Sequence, residues 1–90
     1  MFIRYFIIFA KMEREDIECF GWFFKGTSPD SYDYFWDIVT KKNSILYSYK
    51  LKRAIITIWD NVRKEDYTAF VGTIKHKEEL KTIMKQIGIL

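Results

Sequence analysis

One thiol, Cys19, and one imidazole, His76, are the nucleophile and base of note in this chain. Such a pair does chemistry only when the fold brings the two within hydrogen-bond reach and leaves the thiol partly exposed. Cys19 sits between Ile17 and Phe20 in an apolar run, so a buried structural thiol is expected. His76 falls at the entrance to the last helix, where a solvated side chain is expected. Asp30, Asp33 and Asp37 are the better cluster, because acid groups at helical spacing can hold magnesium or do acid–base work. A metal site draws its ligands from several elements, whereas these three would share one exposed helical stripe. They are therefore expected to form an acidic partner-binding surface, with Tyr34 as a neighbouring aromatic anchor. No GxGxxG, P-loop, HExxH or CxxC pattern occurs. The chain is accordingly read as a non-enzyme, with no catalytic residue, metal site or cofactor assigned.

Basic residues offer an alternative. Lys41, Lys42, Lys50, Lys52 and Arg53 come close together, with Tyr47 and Tyr49 among them. Cations neutralise phosphates and aromatic rings stack on unpaired bases, so this mixture suits nucleic-acid binding. Against it, Tyr47 and Tyr49 share with Ile45 and Leu51 the face a strand would bury, leaving the lysines as an ordinary soluble surface. Lys77, Lys81 and Lys85 recur at i+4 and make a basic ridge on the last helix.

These groups need elements to position them. Ser28 and Pro29 read as a helix start, a hydroxyl for the N-cap followed by proline at the first helical position. Tyr32, Phe35, Trp36 and Val39 then recur at i, i+3, i+4 and i+7, which predicts a helix over Thr27–Asn43 with that stripe buried. Before it, Phe2–Met12 and Ile17–Phe24 are aromatic or β-branched and predict two strands, joined by a hairpin over the polar residues 13–16. Gly21 inside the second strand suggests a bulge. After it, Ile45–Leu51 and Ala54–Trp59 alternate with period two and predict two further strands turning around Lys50–Arg53, with one long bent strand as the alternative because that turn has no Gly, Asn or Pro. Tyr67–Ile74 predicts another strand, with a short helix over Val62–Phe70 as the competing assignment. Leu80, Ile83, Met84 and Ile87 mark the last helix, with Gly88 as its C′ residue and Ile89 turned back onto Met84. The expectation is an α+β domain spanning residues 1–90, an antiparallel sheet with two helices in the order β-β-α-β-β-β-α.

Ninety residues bury only about 60% of their unfolded surface, which the many aromatic side chains partly offset. A lone cysteine excludes an internal disulfide and points to a reducing compartment. The opening MFIRYFIIFA is too short an apolar run to cross a membrane and leads into the charged KMERED, so a cytoplasmic protein with no membrane partner is expected. Residues 1–40 carry four basic against seven acidic groups, a net −3, while residues 41–90 carry eleven against five, a net +6. Opposing fields of this kind steer charged partners.

The aromatic CFGWFF, the acidic SPDSYDYFWDIV and the following AIITIWDNV give the chain a build that resembles small phage-encoded inhibitory proteins, anti-CRISPR inhibitors among them. The resemblance implies a viral inhibitor that works without catalysis, by covering a surface on a host protein or nucleoprotein. It assigns no residue a role. The function expected is a small interaction protein binding such a partner through a charged surface with aromatic anchors. The alternative is a nucleic-acid-binding module around residues 41–53, and an exposed sheet edge would admit a second copy of the chain.

Overall fold

The computed structural model describes residues 11–90. Along them run α1 (Arg14–Glu18), β1 (Trp22–Thr27), β2 (Asp33–Asp37), β3 (Ser44–Ser48), β4 (Arg53–Asp60), β5 (Glu65–Thr73) and α2 (Lys77–Gln86). The strands form one antiparallel sheet in sequential order, β1-β2-β3-β4-β5. Over the described residues the domain is thus α+β with two helices, and its order departs from the expected one in that the first of these helices precedes β1.

That departure has a local cause in two stretches. Residues 13–16 open α1 instead of turning a hairpin, because the Asp16 carboxylate accepts the Glu13 backbone N–H (2.8 Å) across the first helical turn. Ile17 is the buried residue of α1, Gly21 turns the chain at φ +92°, and the strand starts only at Trp22. The bulge expected at Gly21 falls instead between Phe24 and Gly26. The strand expected over Phe2–Met12 lies outside the described residues except for Lys11 and Met12, which belong to no strand.

The helix expected over Thr27–Asn43 is a turn, a strand and a second turn. Ser28-Pro29-Asp30-Ser31 closes as a β-turn, with the Ser31 N–H on the Ser28 carbonyl (2.9 Å) and proline at the position whose φ the turn requires. The same four residues therefore satisfy a helix start and a turn. Of the apparent helical stripe, Phe35 is fully buried while Val39 is 90% exposed. The alternation Asp33-Phe35-Asp37 against Tyr34-Trp36 is what the tertiary structure uses, in keeping with the strand preference of tyrosine, phenylalanine and tryptophan.

The later elements lie near their expected places. Tyr49 and Leu51 lie in the turn between β3 and β4, and residues 65–73 pair along β4 as a strand, not a helix. α2 ends as its sequence predicts. Gly88 (φ +81°) donates its N–H to the Lys85 carbonyl and Ile89 to that of Met84, satisfying two orphan carbonyls of the last turn.

Both helices serve one face of the sheet. Trp22, Phe35, Ile45, Tyr47, Ala54 and Ile56 point into a core completed by Ile17, Leu80 and Met84. The Trp22 indole donates to the Met84 sulfur (3.5 Å), and the Tyr47 hydroxyl donates to the Ile74 carbonyl at the entrance to α2. Burial pushes the Tyr47 hydroxyl up to about 12, with Glu79 adding to the shift. Residues of opposite parity make the second face, which neither helix covers.

Candidate binding surface

Alternation along the strands decides what the second face carries. Phe23 on β1, Tyr34 and Trp36 on β2, Leu46 on β3, and Ile55 and Trp59 on β4 all take the parity opposite to the core. Antiparallel register aligns them into rows. Phe23 faces Trp36, Trp36 faces Ser44, and Ser44 faces Thr57. A second row runs from Tyr34 through Leu46 and Ile55 to Val71. Tyr34 and Trp36 meet edge to face, with ring centroids 6.1 Å apart.

Lysines border these rings. The Lys25 ammonium lies 4.4 Å from the Trp36 ring centroid and 5.4 Å from that of Phe23. The Lys42 ammonium lies 5.6 Å from the Trp59 ring. An ammonium within about 6 Å of an aromatic face is attracted by the ring quadrupole. The bulge at Lys25 and the turn after β2 are the devices that bring these cations to the rings.

Asp37 builds that turn. Its carboxylate accepts the backbone N–H groups of Thr40, Lys41, Lys42 and Asn43 and the Thr40 hydroxyl, at 2.6 to 3.3 Å. Burial alone would raise its pKa, but these donors outweigh it and hold the carboxyl below its ordinary value. Between Trp36 and Trp59 an open cleft of about 310 Å³ remains, bordered by Lys41 and Lys42. Its floor is low because Ser44 and Thr57 are small. Asn43 is fixed beside it by accepting the Trp59 backbone N–H on its side-chain oxygen (3.0 Å). The Trp59 indole N–H is buried without an acceptor among the described residues.

The three aspartates do not form one acidic surface. Asp30 is exposed in the turn between β1 and β2, whereas Asp33 is only 3% exposed. The Asp33 carboxylate accepts from Arg14 Nε (3.0 Å), the Thr27 hydroxyl (2.8 Å) and the Tyr49 hydroxyl (2.8 Å). Burial opposes its ionisation, and the three donors more than compensate, so its pKa lies below the ordinary value. The Arg14 guanidinium also lies 3.8 Å from the Phe24 ring centroid, tying α1 to β1. Asp33 and Asp37 are thus internal supports. Of that expected set, Tyr34 alone reaches the aromatic face.

The expected basic set divides as well. Lys41 and Lys42 border the cleft, but Lys50 and Lys52 lie at the other end of β3, where with Lys11 and Lys75 they line a separate depression beside Tyr47 and Tyr49. Arg53 begins β4 and is exposed. Lys25, Phe23, Trp36 and Trp59 are the members that sequence reasoning missed, and the signal present was the i, i+2 spacing of Tyr34 and Trp36.

Cys19 is exposed at the end of α1, correcting the expected buried thiol, and its sulfur donates to the Asp16 carbonyl (3.0 Å). His76 occupies the N-cap of α2, where Glu79 accepts its backbone N–H (3.1 Å). Among the described residues no three His, Cys, Asp or Glu side chains are grouped to hold a metal ion. No described helix is long and apolar enough to cross a membrane. No family model matches the chain, and neither a curated protein nor a solved structure does.

Proposed function

We propose that the protein is a non-enzymatic interaction protein whose contact surface is the face of its sheet opposite the two described helices. One observation carries this reading: Trp36 and Trp59 flank an open cleft on that face, each with a lysine ammonium against its ring. Aromatic anchors supply contact area at low entropic cost, and bordering lysines speed the approach of a negatively charged partner. The partner is a protein or nucleoprotein of negative surface charge. Occupying such a surface is how a small phage-type inhibitor would act, with no turnover of substrate.

The test is capture from host lysate at low salt with three forms of the tagged protein. These are the native chain, a Trp36→Ala/Lys42→Ala variant, and a Lys81→Ala control on α2. Binding through this face predicts one partner retained by the native chain and the control and depleted about tenfold or more by the double variant. Equal retention by all three would exclude the face as the contact surface.

A further inference from the structure

We infer that the cleft between Trp36 and Trp59 is a stacking site for an unpaired nucleobase, with Lys25, Lys41 and Lys42 placed to pair with phosphates of the same strand. The inference rests on the reading of this face as the contact surface and names the chemistry of its occupant.

The cleft, about 310 Å³ and open to solvent, has room for a planar ring. Trp36 on β2 lies in one row with Ser44 and Thr57, and Trp59 stands two residues further along β4, so the two indoles face each other diagonally across two strand spacings, with backbones roughly 12 Å apart. Between them Ser44 and Thr57 raise no large side chain. Indole walls over a low floor admit a flat aromatic group and offer a π-face to it. Base–aromatic stacking of this kind tolerates every base.

Polar groups at the cleft fit the rest of a nucleotide. Asn43, Ser44 and Thr57 present hydrogen-bonding groups to a base edge. Asp66, paired with Trp59 across the strands, is the one acid at the cleft, and a carboxylate there accepts from an exocyclic amino group. The neighbouring carboxylate, Asp37, is already engaged by four backbone N–H groups and a hydroxyl. The balance of the cleft rim is therefore positive.

The lysine positions suit an exchange of partners at the half-buried rings. The Lys42 ammonium lies against Trp59 at the cleft, and the Lys25 ammonium lies against Trp36 and Phe23 in the adjoining depression. An arriving base takes the ring face, and the displaced ammonium is left within reach of the phosphate attached to that base. A duplex cannot make this exchange, because its bases already stack on one another. Selectivity for single strands follows.

The experiment is fluorescence anisotropy with a labelled oligothymidylate of about 12 nucleotides, within the span one small domain covers. An oligouridylate, a DNA duplex of the same length and heparin serve as comparisons, at low and raised salt. The expected result is single-strand affinity about tenfold or more above that for duplex, with quenching of tryptophan emission. Trp36→Ala should weaken single-strand binding about tenfold or more, and Trp36→Phe should restore most of it. Lys42→Ala should weaken binding and flatten its salt dependence. The oligouridylate arm separates an RNA ligand from a DNA one. Duplex or heparin bound as tightly as oligothymidylate, with no response to Trp36→Ala, would overturn the inference in favour of charge alone. Absence of any oligonucleotide binding would overturn it too. If Trp36→Ala/Lys42→Ala still lost a lysate partner in that case, the face would remain a contact surface for a protein. Were that partner retained, both readings would fall together.

Discussion

Asp33 shows how one side chain can be misread when its element is misread. Placed on a helix, it belongs to an acidic stripe. As the first residue of β2 it points inward, where Arg14, Thr27 and Tyr49 each donate to it. A buried carboxylate with three donors joins α1, β1, β2 and the turn after β3 at one point. Asp33→Ala should destabilise the domain by about 2–4 kcal/mol in urea denaturation, because it leaves a guanidinium and a buried hydroxyl without their acceptor. Asp30→Ala, in an exposed turn, should change stability by less than about 0.5 kcal/mol. The pH dependence follows from the direction of the shifts. Asp33 and Asp37 have folded pKa values below 3.8, so the stability they contribute is present above the ordinary carboxylate range and is lost as pH falls through the folded values. Tyr47 and Tyr49 are shifted upward by burial, Tyr49 also by Asp33, so their contribution is present below pH 10 and is lost as pH rises beyond it. Thermal melts across pH should show a plateau with falling limbs on both sides. Asp33→Asn should reduce the acid limb.

At the scale of elements, the four hairpins share a construction that hides them from turn-reading rules. Each contains one residue of positive φ, namely Ser31, Lys41, Lys52 and Lys64, and none of these is glycine. Each is closed by a serine or aspartate oxygen at or just after the preceding strand's end. Ser28 accepts the Tyr32 N–H, Asp37 that of Thr40, Ser48 that of Leu51 and Asp60 that of Val62. Three of the turns therefore read Asp or Ser followed by lysine four positions later, where Asn-Gly or Asp-Gly would have announced a hairpin. The side-chain acceptor does the closing, and the left-handed lysine bears the strain. Lys64→Gly should relieve that strain and raise stability by about 0.5 kcal/mol, the balance between left-handed cost and glycine entropy. Asp37→Ala should cost about 1–2 kcal/mol and disorder the approach of Lys41 and Lys42 to the cleft. The C-terminus of α2 offers the opposite case. Gly88 announces its position plainly, and Gly88→Ala at φ +81° should cost about 1 kcal/mol by chemical denaturation.

Across the whole molecule, the sheet separates the buried core from the lysine-bordered aromatic surface by face. Ile56 is fully buried beneath the helices, while its neighbour Ile55 lies in the Tyr34–Leu46–Val71 row of the other face. Ile56→Ala should cost about 2–5 kcal/mol and Ile55→Ala about 1 kcal/mol, measured by the same denaturant titration. The charge asymmetry along the chain is also reorganised by this architecture. Two acids of the first half, Asp33 and Asp37, are engaged by internal donors, so the negative pole expected there is weakened. Lys25 from the same acidic half joins Lys41 and Lys42 around the tryptophans instead. The proposed binding of a nucleic-acid strand to this face should weaken steeply with salt in an anisotropy titration, since phosphate neutralisation releases counterions.

The sequence by itself determined the fold class, two alternating strands expected over residues 45–51 and 54–59, the first of which ends at Ser48, and the last helix with its glycine stop. In those stretches one periodicity fits and the competing one does not. It could not decide residues 27–43, where Tyr32, Phe35, Trp36 and Val39 satisfy a helix while Tyr34 and Trp36 satisfy a strand. The tertiary structure decided between them, because Phe35 is buried between Phe24 and Ile45 only when the chain runs as a strand between β1 and β3. That choice also determined the surface. Lys25, Trp36, Lys42 and Trp59 are spread over 35 residues of chain, and only antiparallel pairing across four strands brings them to two adjoining depressions that share Trp36 and Lys41. Periodicity is a local property and can be read along the chain. The assembly of a face depends on register between strands, which no local spacing contains.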